Sequence, residues 1–194
     1  HNHTYVTHPT AAEKVAGGGV FVHYENLSEK SVDVFVDVDV KNEAKKKTVV
    51  VQLDLLDSDG NAVASSVNEY QLPKNNAVQT HAQFTVPNPK LWRPDNPQLH
   101  DLRVSLKNKR GDVLDTFIKR IGIRSVEMRG QDGFYLNGKP YPQLLIGANR
   151  HQDFAHIGHA LPNNLHYRDA LKLRQTGMRV IRSAHFVQDP AFMD

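Results

Sequence analysis

Two short runs of the chain collect residue types that can hold and orient a polar substrate. One is Asn149-Arg150-His151-Gln152-Asp153; the other contains Arg182, Ser183 and His185. Amide, guanidinium and imidazole groups hydrogen-bond hydroxyls, and a carboxylate can give or take a proton. Whether the runs meet depends on the elements before them. Leu144-Leu145-Ile146-Gly147-Ala148 is a short apolar run of the kind found in strands buried on both faces. Met178–Arg182 reads as a second strand. Between them Asn163–Gln175 reads as a helix, capped by Asn163 or Asn164, with Lys172 and Arg174 in its last turn and Gly177 ending it. Asp189-Pro190-Ala191-Phe192 opens another helix, with Pro at the first helical position. This order predicts a βαβ unit with a right-handed crossover between parallel strands. Ligands of parallel α/β folds meet the carboxyl ends of the strands, so both polar runs are expected on one rim. The plainer alternative is that these side chains pair with one another or cap neighbouring helices.

Other candidates have ordinary explanations. His151, His156, His159 and His166 fall in or near one loop, and His156-x-x-His159 has metal-like spacing. No His-Glu-x-x-His motif supports it, so loop-packing histidines are expected and no metal site is assigned. His1-Asn2-His3 could chelate Cu(II) or Ni(II) only if His1 is a true amino terminus. Asp33, Asp37 and Asp39 alternate with valines and are expected on a solvated sheet face rather than around Ca²⁺. Trp92, beside Pro94, is expected to be a buried anchor under a domain junction rather than a sugar platform.

The chain changes character near residue 125. Before it, valine holds every even position from 32 to 40, and Val49, Val51, Leu53 and Leu55 share one face of 48–56. Period 2 with β-branched residues marks half-buried strands. Shorter candidates are 19–25, 62–70, 78–86, 102–107 and 113–121, with turns at Asp57–Gly60 and Asn108–Gly111. Strands at this spacing predict an antiparallel, immunoglobulin-like β-sandwich. Few aromatics are expected on the polar faces of these strands.

Composition narrows the function classes. With 194 residues, 39% hydrophobic and 23% charged, the chain suits a folded domain and part of another. The net charge of +3 is spread out, and no basic stripe interleaves with aromatics, so nucleic acid is not an expected partner. No run of about 18 apolar residues exists, so no membrane partner is expected. The absence of cysteine removes disulfides, thiolate zinc and cysteine nucleophiles. No signal peptide is visible. The chain begins at His1 without Met, so it is expected to be an excised piece of a longer protein, and its compartment is left open.

Phe134–Asp153 (FYLNGKPYPQLLIGANRHQD) and Gly177–Asp194 (GMRVIRSAHFVQDPAFMD) resemble glycoside hydrolase family 2, which contains β-galactosidases, β-glucuronidases and β-mannosidases. Leu136-Asn137-Gly138-Lys139-Pro140 matches the family's hairpin, and Asn149-Arg150-His151 its first strand end. Leu91–Pro97 (LWRPDNP) and Gly122-Ile123-Arg124 resemble the segments that lead into the family's barrel. The resemblance implies a mainly β architecture: a sandwich over 1–125, then the first βαβ unit of an incomplete (β/α)₈ barrel over 126–194. It implies a retaining β-glycosidase, β-galactosidase-like, with carbohydrate as substrate. By resemblance His185 touches sugar, Arg182 supports that rim, and Asn149, His151 and Asp153 complete the substrate-binding set. Ala184-His185-Phe186-Val187 departs from the family's Ser-His-Tyr-Pro, losing two hydroxyls and the Pro. The family's nucleophile and acid/base are both Glu from later strands, whereas the last Glu here is Glu127. No catalytic residue is therefore expected in this chain, and it should be inactive alone. No cofactor is expected in it either, although the parent enzyme could bind Mg or Na ions. Self-association through the incomplete barrel segment is expected. Two other classes stay open: a non-catalytic immunoglobulin-like module binding carbohydrate or protein, and a hydrolase using His and metal.

Overall fold

The computed structural model describes residues 3–9, 11–12, 14 and 17–193. It divides into two packed units, His1–Pro140 and Tyr141–Asp194. The strands of the first unit are β1 (Thr4–Val6), β2 (Val20–Glu25), β3 (Ser31–Asn42), β4 (Lys47–Leu56), β5 (Ala62–Leu72), β6 (Asn76–Pro87), β7 (His100–Lys107), β8 (Val113–Ile121), β9 (Val126–Met128), β10 (Phe134–Leu136) and β11 (Lys139–Pro140). One sheet centres on β3, with β6 along one edge and β1 and β2 sharing the other; the second runs β5-β4-β7-β8. Every pairing in these two sheets is antiparallel.

The alternation in the sequence sets which side chains are buried. Val32, Val34, Val36, Val38 and Val40 are at most 1% exposed, and they meet Val49, Val51, Leu53 and Leu55 of the other sheet in a single core. A one-residue slip in either strand would turn that set to solvent, so the pattern also fixes the register. At Asp57–Gly60 the Asp57 carboxylate accepts the Asp59 and Asn61 N–H groups, and Gly60 takes a φ of +82°.

Two expectations are corrected within this unit. Asp39 is buried, not solvated, because the segment after β1 lies over it: Thr7 Oγ1 donates to it at 2.7 Å and Lys14 pairs with it. Trp92 is half-buried rather than fully buried, with the Arg124 guanidinium 4.8 Å from its ring centroid. It is an anchor nonetheless. A Cβ on Gly122 would come within 2.7 Å of its ring, and its carbonyl accepts from Asn137 Nδ2. Asn137 also bonds Ser125 in both directions, which holds the β9–β11 hairpin to the sandwich side of the break at Pro140.

The second unit contains β12 (Gly147–Arg150), α1 (Asn163–Gln175), β13 (Val180–Ser183) and α2 (Pro190–Met193). β12 and β13 pair in parallel, as the βαβ reading requires. The first strand begins later than expected, and Leu144 and Ile146 are 80% and 58% exposed rather than buried on both faces. β13 likewise starts at Val180, not Met178. α1 starts one residue earlier than an Asn cap requires: its N-cap is Pro162, with no side-chain cap bond. Its C-terminus follows the sequence, with Gly177 at a φ of +84° and its N–H on the Arg174 carbonyl. Among the described residues no helix is long and apolar enough to cross a membrane.

Candidate functional site

The parallel register aligns the two polar runs. Asn149 stands opposite Arg182, and Arg150 opposite Ser183. The Ala184 N–H continues the ladder onto the Arg150 carbonyl at 2.9 Å, so both chains leave the sheet together. The strands approach closely at the other end: a Cβ on Gly147 would lie 2.0 Å from the Val180 carbonyl oxygen, so only glycine fits there.

Four of the five expected site residues meet. Arg182 reaches Asn149 Oδ1 at 3.4 Å. The His151 and His185 rings stand edge to face with centroids 5.4 Å apart. All four are solvent-exposed, with hydrogen-bonding capacity left over for a ligand. Asp153 is the exception. It lies in the exposed loop, and among the described residues it makes no bond to the other four.

The support beneath this rim was not legible from the sequence. Arg150 is buried, 4% exposed, and its guanidinium makes four contacts. Nε donates to Asp169 of α1 at 2.7 Å, one terminal nitrogen donates to Gln188, the other lies 3.2 Å from His166 Nδ1, and the Phe192 ring is 3.9 Å away. Because arginine only donates, His166 Nδ1 must accept. A neutral His166 therefore carries its proton on Nε2, which is buried without a partner. Gln152 adds a second tie, accepting the Asp189 N–H at 2.7 Å, while Asp189 itself caps α2 through the Ala191 N–H. These bonds lock the residues on either side of Asn149, His151 and His185. The one available signal was the spacing of His166 and Asp169, which puts both on one face of α1.

Carboxylate chemistry has little to draw on here. Asp169 is tied to Arg150 and Asp189 to a helix cap, leaving Asp153, in the exposed loop, as the carboxylate without such a tie among the described residues of this unit. Among the described residues no three His, Asp or Glu side chains converge on a point that could hold a metal ion. The His159 ring lies 6.0 Å from Phe186, and His166 lies in the first turn of α1, just after the loop. His1-Asn2-His3 extends outside the described residues.

Comparison with known proteins agrees with this organisation. The family model for glycosyl hydrolases family 2 matches residues 18–124, and the model for the TIM barrel domain of that family matches 126–194. A Formosa agariphila protein named for β-glucuronidase activity is 37% identical over 164 residues, covering 84% of this chain and 19% of its own length. A β-galactosidase of Thermoanaerobacter pseudethanolicus is 33% identical over 142 residues, covering 73% of this chain and 18% of its own. The crystal structure of a Bacteroides uniformis β-glucuronidase superposes with a TM-score of 0.84 at 29% identity, covering 98% of this chain and 22% of that one. The chain thus spans about a fifth of the length of its relatives, comprising an immunoglobulin-like domain and the start of a TIM barrel. It belongs to glycosyl hydrolases family 2.

Proposed function

We propose that this chain is the sandwich and first barrel strands of a retaining β-glycosidase, and that its rim orients sugar rather than cleaving it. The observation that carries the reading is the parallel register, which sets Asn149 beside Arg182 and His151 against His185 at the carboxyl end of both strands. Exposed amide, guanidinium and imidazole groups on a rigid support suit the hydroxyls of a β-linked hexoside or hexuronide. Relatives named for both β-galactosidase and β-glucuronidase activity support that substrate class.

The chemistry itself needs more than this rim provides. Retaining hydrolysis uses two carboxyl groups about 5–5.5 Å apart, one as nucleophile and one as acid/base. Asp153 by itself cannot fill both roles. The chain assayed alone on aryl β-glucuronides and aryl β-galactosides should give only background. Turnover that disappears on changing Asp153 would overturn the reading. In an enzyme carrying this segment, His185→Ala should lower kcat/KM about a hundredfold through lost positioning; an unchanged kcat/KM would remove His185 from the sugar site.

A further inference from the structure

The outward face of the first sheet carries a second set of ligand-type residues, remote in sequence from the rim. β2 directs Phe21 and His23 outward, and register places them opposite Asp37 and Phe35 of β3. His23 and Phe35 stack at 4.9 Å and 9°, Phe21 leans on His23 at 5.8 Å, and Phe21 remains 61% exposed. Phe21 and Phe35 are the few aromatics expected on these polar faces, here brought together with His23. Beside the rings runs a row of oriented polar groups. Asp37 accepts from His81 Nδ1 at 2.6 Å and from Gln79 Nε2 at 3.3 Å. Those two bonds consume one end of each side chain. They leave Gln79 Oε1 as an acceptor and His81 Nε2, an acceptor in the neutral ring, on exposed side chains next to the exposed and unbonded amide of Gln83. Two hollows of about 450 and 350 Å³ adjoin at Asp37, one against Phe35 and Gln83, the other against Phe21 and the Gly17–Gly19 segment. Each falls in the size range of small-ligand sites.

We propose that this face binds an uncharged oligosaccharide without cleaving it, with Phe21 under the C–H face of one sugar ring and the His81–Gln79–Gln83 row on its hydroxyls. Acceptors held by a carboxylate select ligands that present hydroxyl donors. Asp33 and Asp37 on the same strand disfavour acidic ligands. A docked protein fits less well. A stable interface buries about 800 Å² per partner around an apolar centre, whereas Phe21 is the one exposed large hydrophobic residue on the described part of this face. The proposal is independent of the rim, since it uses none of its residues.

The test is ¹H–¹⁵N chemical-shift mapping of the full 194-residue chain titrated with β-1,4-linked cello-, xylo- and galacto-pentaose to about 10 mM, which detects dissociation constants on the order of 1 mM. The expected result is movement of amides on β2, β3 and β6 with at least one of the three. Phe21→Ala should weaken it at least about tenfold, and Gln83→Ala should weaken it measurably; both positions are exposed and leave the core untouched. No movement with any of the three sugars, movement only at Asn149 and His185, or movement insensitive to Phe21→Ala would overturn the proposal. So would face amides that shift with protein concentration and recover in Phe21→Ala, which would make a second copy of the chain the occupant.

Discussion

The two units differ in what dominates their buried residues. In the sandwich these are mainly apolar, among them Val32, Val34, Val36, Val40, Leu53, Leu55, Leu102 and Leu106, with Thr4 and Asn42 as buried polar exceptions. In the βα unit the most buried are His166 and Ala184 at 0%, Arg150 at 4% and Gln188 at 6%, while Leu144, Val187 and Met193 are 75–81% exposed. The sandwich closes an apolar core with its own strands. The βα unit satisfies its polar residues first and leaves its apolar ones needing cover. The apolar core therefore resides in one region and the buried arginine cluster in the other. The buried Arg150 cluster shows how a unit without an apolar centre can still fix a rim, through directional bonds rather than packing.

The largest effect that would sharpen this contrast is Val36→Asp. Val36 is fully buried, so the substitution places an unpaired charge in the core and should cost more than about 4 kcal/mol. Because a domain is stable by only about 5–15 kcal/mol, most of the sandwich transition should vanish from a thermal melt. Asp37→Lys, one residue along on the outward face, loses only half-exposed bonds to His81 and Gln79 and should cost about 1 kcal/mol, leaving the sandwich folded.

Next in size is Arg150→Ala. It strands Asp169, which is 31% exposed, so the full penalty for breaking a buried pair is reduced to about 2–3 kcal/mol. Hydrogen exchange should speed up across α1 and β12 while the sandwich melt stays unchanged. A fall in the sandwich melt would mean the two regions share their stability.

Asn137→Ala removes the side-chain bonds to the Ser125 N–H and the Trp92 carbonyl, keeps the backbone bond to Ser125, and should cost about 1–2 kcal/mol. Faster exchange confined to β9–β11 is the expected reading.

The smallest expected effect is a pH dependence in two stages. Burial holds the His100 imidazole below its usual 6.5, so the unfolded chain binds its proton first and stability is lost as pH falls below 6.5. Burial pushes the Asp54 carboxyl up, but hydrogen bonds from Gln52, Ser65 and Arg103 outweigh it and hold the group below 3.8. Its contribution is present above 3.8 and is lost below that. Melts recorded against pH should show both steps, and His100→Phe should flatten only the first.

The sandwich was legible because period-2 valines admit one facing, and its turns carry Asp and Gly where φ or side-chain capping demands them. What alternation cannot show is coverage from elsewhere. Asp39 sits in phase with Asp33 and Asp37, yet a distant segment buries it. The βα unit was legible in topology but not in depth. Leu144-Leu145-Ile146 has the composition of a buried strand, and composition says nothing about whether covering strands are within reach. The rim pairs followed from strand order alone. Arg150 did not stand out, because a buried arginine is recognisable only once Asp169, Gln188 and His166 have been brought around it. Phe21 and Phe35 flank His23 only through the register of β2 on β3, which no single run of residues shows.

The most direct test of the contrast is amide hydrogen exchange over the whole chain at two protein concentrations. Exchange should be slow and concentration-independent in β3, β4, β6 and β7, and faster across 141–193 than in those strands, slowing there as the protein is concentrated and the exposed apolar residues find cover. Slow, concentration-independent protection of 141–193 in a monomer would contradict it, because that region would then hold a core of its own.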